Sequence, residues 1–166
     1  MTDVLRDATE QDLPAIVAIY NASIPGRLAT ADTVAISVDS RWDWWHSHNP
    51  QTRPIWVLER DRHIIAWISL SSFYGRPAYN ATAEFSLYID PDCCGQGLGT
   101  SLLGQMVDRC PEFGVTTLLG FIFGHNAPSL RLAEKFGFER WGVLPAVAVL
   151  DGTPCDLVIM GRKVDG

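Results

Sequence analysis

The sequence predicts a mixed α/β domain of the α+β type, with one sheet and helices on both of its faces. Three observations predict it. Segments with helical apolar spacing and segments with strand character follow one another in the order βα, α, βββ, α, β, α, ββ. Apolar residues make up 47% of the 166 positions and charged residues 19%, which supplies a core and excludes a disordered chain. At roughly 100–200 residues per domain, this length corresponds to one domain over residues 1–166.

Residues 4–9 have the character of a short strand. Thr9, followed by Glu10 and Asp12, marks a helix start, because a side-chain oxygen and acidic groups both suit the electropositive end of a helix. From Leu13 the apolar residues Ile16, Val17, Ile19 and Tyr20 recur at helical spacing until Pro25-Gly26 ends the run, and residues 27–36 form a loop. A second helix opens at residues 37–40, carries Trp42, Trp44, Trp45 and His46, and stops at Asn49-Pro50. Trp42 and Trp45, three apart, share the face expected to pack inward. The period then changes to that of strands. Residues 55–58 and 63–70, joined by the charged turn 59–62, form an antiparallel hairpin, and residues 82–89 form a further strand ending at Asp90-Pro91. A helix follows from about Leu98 to Cys110, then a strand over 116–123 and a helix over 128–136 closed by Gly137. The last two strands, 141–150 and 156–163, flank an Asp151-Gly152 turn.

Composition narrows the function classes. A net charge of −6, from 19 acidic and 13 basic residues, opposes general nucleic-acid binding, which wants a basic field. No apolar run reaches the ~18 residues that cross a bilayer, and the opening residues lack the apolar segment of a secretion signal. Cys93 and Cys94 are adjacent, Cys110 and Cys155 stand alone, and no Cys-x-x-Cys pair occurs. A reducing cytoplasm is therefore the expected compartment. His46, His48, His63 and His125 show no His-x-x-x-His spacing, so no metal site is expected.

Seven of the fourteen glycines fall between residues 95 and 124. A strand, a glycine-rich turn and a helix can bind phosphate, because bare backbone N–H groups approach the oxyanion and the helix N-terminus adds partial positive charge. The turn Cys94-Gly95-Gln96-Gly97-Leu98-Gly99-Thr100 lacks the lysine of a nucleotide-triphosphate loop and the spacing of a dinucleotide fingerprint. Taken alone it is a weak signal, and a tight turn without functional significance is the better reading.

Other segments narrow this choice. Residues 83–103, with Gly97-x-Gly99 after a strand, resemble the pyrophosphate-binding motif of the GNAT N-acetyltransferase superfamily. The run Asn126-Ala127-Pro128-Ser129-Leu130-Arg131-Leu132-Ala133-Glu134-Lys135-Phe136-Gly137-Phe138 is similar to that superfamily's last helix. Ile19-Tyr20-Asn21, Arg76-Pro77-Ala78-Tyr79, Thr82-Ala83-Glu84 and Trp141-Gly142-Val143-Leu144 resemble its phosphinothricin/methionine-sulfone acetyltransferase group. The likeness covers the whole chain.

The resemblance implies the GNAT fold, a mostly antiparallel sheet in which two parallel strands, here 82–89 and 116–123, splay apart to admit acetyl-CoA. Backbone groups of Leu87, Tyr88 and Ile89 would pair with the pantetheine arm as with an added strand. The N–H groups of Gly95, Gln96, Gly97, Leu98, Gly99 and Thr100 would hold the pyrophosphate. Asn126 would bond the pantetheine, with Ser129 close by. Gly120 and Gly124 would leave room for the cofactor arm, while Gly104 would permit close helix–sheet packing and Gly114 would serve the next turn. Glu84, interrupting an apolar strand, would be the base that takes a proton from the amine, its pKa raised by burial; a solvated strand-face glutamate is the competing reading. Arg76 would clamp a substrate carboxylate between Tyr74 and Tyr79, unless it is an ordinary surface arginine.

Two departures from the family pattern stand out. Cys94 occupies a position usually held by Arg or Gln, and residues 91–108 contain no basic residue, so the phosphates would rely on backbone donors and the helix dipole. Ala133 occupies the position of the Tyr or His that often protonates the leaving thiolate, leaving that task to water, to another hydroxyl, or to none. Arg131 reads as exposed, and His125 as a solvated loop residue. The expected reaction is direct attack of a small amino-acid-like amine on acetyl-CoA, without a covalent enzyme intermediate or a metal. The alternatives are a different amine, such as a polyamine or a protein N-terminus, and a catalytically weak acyl-CoA-binding sensor. The resembling group is often dimeric, which makes a homodimer an expectation here.

Overall fold

The computed structural model describes residues 2–165; Met1 and Gly166, the ends of the span expected to form one domain, lie outside them. Strands β1 (Asp3–Asp7), β2 (Ile55–Arg60), β3 (His63–Ser72), β4 (Thr82–Ile89), β5 (Thr117–Phe123), β6 (Glu139–Leu150) and β7 (Thr153–Lys163) form a sheet in the order β1-β2-β3-β4-β5-β7-β6. All neighbours are antiparallel except β4 and β5. Helices α1 (Leu13–Ala22) and α2 (Trp42–His46) pack on one face, and α3 (Leu98–Arg109) and α4 (Ala127–Lys135) on the other. This is the mixed α/β architecture expected from the element order.

Local chemistry explains the element ends. The Thr9 N–H donates to Asp12 Oδ2 at 2.8 Å, and the Thr9 hydroxyl donates to the same oxygen at 3.2 Å. Thr9 thus caps a 3-10 turn over Glu10–Asp12, and α1 begins at Leu13 with Pro14 in its first turn. The β2–β3 hairpin turns on Asp61 and Arg62, both at positive φ, as the two-residue turns that match strand twist require.

The face covered by α3 and α4 carries the larger core, in which Leu102, Leu103, Met106, Leu118 and Met160 are fully enclosed. On the opposite face Ile16, Ile19 and Tyr20 of α1 pack on Trp67 of β3, whose indole N–H donates to the Ile16 carbonyl at 3.1 Å. The expectation that Trp42 packs inward is corrected here, while Trp45 packs inward as expected. Trp44 and Trp45 pack against this second core, with Trp44 edge-on to Trp67 at 5.4 Å, while Trp42 stacks on His46 at 5.9 Å. Spacing of three says which residues share a helix face but not which face looks inward. Helix α2 is also shorter than its sequence suggests, preceded by a 3-10 turn over Asp39–Arg41.

Two glycines act otherwise than expected. A Cβ on Gly120 would lie 2.7 Å from Cε1 of Phe85, so the space beside β5 belongs to the Phe85 ring. A Cβ on Gly104 would lie 3.0 Å from Phe136, so this glycine lets α3 approach the end of α4 rather than the sheet. Substituting Gly120→Ala is expected to cost about 1–3 kcal/mol by overpacking, read as a lower denaturation midpoint at unchanged m-value.

Candidate active site

Parallel pairing between β4 and β5 is confined to Thr82↔Thr117, Ala83↔Leu118 and Glu84↔Leu119. Beyond Glu84 the strands part, and β4 keeps only its β3 neighbour through Ile89↔Ala66. The direction of the freed backbone groups follows from the register. The Asp90 N–H donates to the Ile65 carbonyl at 2.8 Å, and antiparallel pairing alternates, so Tyr88, Ser86 and Glu84 also turn their N–H and C=O toward β3. Phe85, Leu87 and Ile89 turn theirs into the gap. Leu87 and Ile89 are therefore placed as the sequence suggests, whereas the Tyr88 backbone is taken by β3. Tyr88 reaches the gap with its side chain, which stacks on Trp67 at 4.9 Å and donates to the Ala29 carbonyl at 3.1 Å.

The gap opens as a cavity of about 440 Å³ that runs between the strands. Leu103, Ser129 and Leu132 bound it on the α3/α4 side, and Leu28–Ala31 roof it on the other. This roof was not foreseen in the sequence. It is tied down by Asn126, whose amide donates to the Leu28 carbonyl at 3.1 Å and accepts from the Ser129 N–H at 3.3 Å, and by His125, whose Nε2 donates to the Arg27 carbonyl at 2.7 Å. His125 is thus a tether rather than a freely solvated loop residue. Arg27 also pairs with Asp151 at 2.9 Å.

A second groove continues from Ile89 past the glycine turn. Gly97 adopts φ +76° as the N-cap of α3, a left-handed conformation natural to glycine. The first helical bond is Ser101 N–H to Gly97 C=O at 3.1 Å, which leaves the amides of Leu98, Gly99 and Thr100 without helical acceptors. Gly99 packs closely, since a Cβ there would lie 3.3 Å from the end of the Leu132 side chain. The basic residues missing from the neighbouring sequence arrive from α4: Arg131 and Lys135 line this groove opposite the glycines. Basic side chains thus stand beside the backbone donors of the turn, although none is near them in sequence. Arg131 is exposed, as expected, and faces the groove; Lys135 went unremarked, although its i, i+4 spacing from Arg131 places both on one helix face. Gln96 points elsewhere, accepting from Arg60 Nη1 at 2.7 Å.

Glu84 sits at the last paired position before the strands part. It is half-buried, and burial pushes its carboxyl above the ordinary carboxylate range. Its strand alternation places it with Ser86 and Tyr88 on the α1/α2 face. The β3–β4 loop forms an aromatic cluster beside it: Phe73 lies 4.3 Å from Tyr74 and 5.3 Å from Tyr79, and stacks on Phe121 of the cavity wall at 6.5 Å. Arg76 is exposed, without an ion pair among the described residues, and belongs to none of the cavities. Ala133 is fully buried in the core, so the α4 hydroxyl that borders the cavity is that of Ser129. Cys93, Cys94, Cys110 and Cys155 are free thiols, and burial pushes Cys110 up to about 12. Among the described residues no three of His, Cys, Asp and Glu gather as metal ligands, and no helix is long and apolar enough to cross a membrane.

A splayed parallel pair, a glycine turn at a helix start and a second helix facing it define a family as well as a geometry. The model of the acetyltransferase (GNAT) family matches residues 14–138. The chain belongs to the GNAT family. It is accordingly an acetyltransferase. YwnH of Bacillus subtilis, a candidate phosphinothricin acetyltransferase, is 48% identical over 96% of this chain and 98% of its own. The L-methionine sulfoximine/L-methionine sulfone acetyltransferase of Pseudomonas aeruginosa is 30% identical over 99% and 96%. A GNAT phosphinothricin acetyltransferase from Sinorhizobium meliloti, solved in complex with acetyl-CoA, superimposes with a TM-score of 0.90 at 30% identity, covering 98% of this chain and 89% of that one. The gap between β4 and β5 and the α3/α4 groove adjoin at Leu132, which lines both.

Proposed function

We propose that this GNAT enzyme transfers the acetyl group of acetyl-CoA to the amine of a small amino-acid-like substrate, with residues 1–166 as one catalytic domain. The observation that carries the reading is the meeting of two features at Glu84: a desolvated carboxylate with no counter-charge, and the point where β4 loses its β5 partner. The residues present fit acetyl-CoA. The unpaired backbone groups of Phe85, Leu87 and Ile89 suit an extended amide arm. The amides of Leu98, Gly99 and Thr100, with Arg131 and Lys135 opposite, suit a pyrophosphate. Bound there, acetyl-CoA supplies a thioester for direct attack. Glu84 takes the proton that the ammonium must lose before its nitrogen can attack. The hydroxyl of Ser129 is the α4 group available to the departing thiolate.

The names of the relatives support an amino acid as acceptor. Arg76, unpaired in an aromatic loop, is the cation for the acceptor carboxylate. A panel assay of thiol release from acetyl-CoA tests this. Methionine sulfone and phosphinothricin are expected to be acetylated in preference to spermidine; the opposite order would overturn the carboxylate clamp.

The chain is further proposed to work as a homodimer in a reducing cytoplasm. Strand β6 ends the sheet, and it exposes Trp141, Val143, Leu144, Val147 and Val149, the last at 61%. Such an apolar edge calls for a second copy. Sedimentation is expected to give a dimer for the wild type and a monomer for Val147→Lys/Val149→Lys; a monomeric wild type would contradict it.

A further inference from the structure

We propose that Arg53 is a positioning residue for the acceptor: it ties together the two ends of the β3–β4 loop and so sets where Arg76 stands beside Glu84. This rests on the reading of Arg76 as the carboxylate clamp. Arg53 lies just before β2 and is only 8% exposed. Its Nε donates to Ser72 Oγ at 3.0 Å, its Nη2 to the Asn80 carbonyl at 2.7 Å and its Nη1 to the Thr52 carbonyl at 2.7 Å. Ser72 is the last residue of β3, and Asn80 stands two residues before β4 begins. The guanidinium thus joins the point where the chain leaves the sheet to the point where it returns.

The loop between these points stands out from the body of the protein. Every residue from Tyr74 to Asn80 is exposed. Tyr74 and Gly75 are both left-handed, at φ +57° and +64°. A 3-10 turn over Pro77–Tyr79 and the packing of Phe73, Tyr74 and Tyr79 on one another give the loop its shape, but these contacts are internal to it. Arg53, by contrast, is fixed to the fold. It exchanges two backbone hydrogen bonds with Asn49, at 2.9 and 3.1 Å, and Asn49 Oδ1 accepts from the Thr52 N–H at 2.8 Å. A closed turn therefore holds the base of the clamp while its head reaches the loop.

The chemistry of the position calls for arginine. All three acceptors are neutral, and Arg53 pairs with no carboxylate among the described residues. Burial disfavours its charged form, so packing alone would favour an apolar side chain here. The planar fork explains the choice: Nε and Nη2 present two parallel N–H groups on one edge, one for each end of the loop. A lysine ammonium keeps the charge but cannot hold two acceptors in a fixed plane, and a glutamine amide offers a single nitrogen. The register carries the effect to the reaction. Ser72 pairs with Ala83, and the next pair along is Ser71 with Glu84. Arg53 therefore holds the loop one residue pair away from the base.

The test is steady-state kinetics with acetyl-CoA and methionine sulfone for wild type, Arg53→Lys, Arg53→Gln, Ser72→Ala, Arg76→Ala and Arg53→Lys/Arg76→Ala. Both Arg53 variants are expected to raise KM for methionine sulfone about ten-fold, the effect of one charge-assisted contact held out of place, with KM for acetyl-CoA unchanged. Ser72→Ala, which removes one acceptor at the exposed end of β3, is expected to raise it about three-fold. A merely structural role would reduce the amount of folded enzyme, which scales kcat and moves neither KM. The double variant is expected to match Arg76→Ala alone, because both changes act through one contact. A KM for methionine sulfone that stays put in the Arg53 variants, or effects that multiply in the double variant, overturns the inference. If neither Arg53 variant folds, Ser72→Ala decides, and an unmoved KM there overturns it. A raised KM in Arg76→Ala beside an unmoved one in the Arg53 variants removes Arg53 alone. Failure of Arg76→Ala to raise that KM removes the carboxylate clamp and the role of Arg53 with it.

Discussion

Replacing Glu84 by glutamine is expected to lower kcat by about 10²–10⁴-fold while leaving the protein at least as stable as the wild type at neutral pH. The two halves have one cause. The Glu84 carboxyl is raised by burial, so its ionised form is disfavoured in the folded chain relative to the unfolded one. The favourable contribution of the protonated group is complete below the unfolded pKa and is lost as pH rises through the folded pKa. At neutral pH the wild type therefore holds a desolvated carboxylate that glutamine removes. Activity has the opposite sign: the base works only when deprotonated, so kcat falls as pH drops through a value above the ordinary carboxylate range. Thiol-release kinetics with parallel thermal melts checks both. A Glu84→Gln protein that keeps its kcat would show that the carboxylate is not the base.

The second large effect concerns the phosphates. Reversing both charges in Arg131→Glu/Lys135→Glu is expected to raise KM for acetyl-CoA about 100-fold, two charge-assisted contacts at roughly 1.5–3 kcal/mol each being ample for that. Both side chains line the groove opposite the glycine turn, and neither touches Glu84, so kcat at saturation should change little. The defect should shrink at high salt, because exposed charges are screened. A KM that does not move would mean that the amides at the start of α3 suffice.

How these residues could be read from the sequence differs, and the reason is physical. Strand β4 was legible to its end residues because apolar alternation and Asp90-Pro91 mark it locally. The glycine turn was legible because the left-handed conformations of Gly95 and Gly97 favour glycine at nearby positions. The apposition of Arg131 and Lys135 to that turn was hidden, since it arises only when α4 docks across α3, some thirty residues away in sequence. The Leu28–Ala31 roof was hidden likewise, being held by bonds to Asn126 and His125 across 98 positions. The division of labour along β4, with Leu87 and Ile89 facing the gap and Tyr88 facing β3, depends on the hydrogen-bond phase of the β3 pairing. No periodicity in the sequence encodes that phase. The tryptophans of α2 illustrate the same limit, because a five-residue helix takes its orientation from what it packs on.

The claim that this chain is a working amino-acid N-acetyltransferase is tested most directly by incubating it with acetyl-CoA and methionine sulfone and measuring free thiol and N-acetylated product together. The account predicts that both appear, one for one, and that neither appears with Glu84→Gln above a small residue of activity. Acetyl-CoA bound with no thiol released from any amine would contradict it and identify the chain as an acyl-CoA sensor built on the same fold.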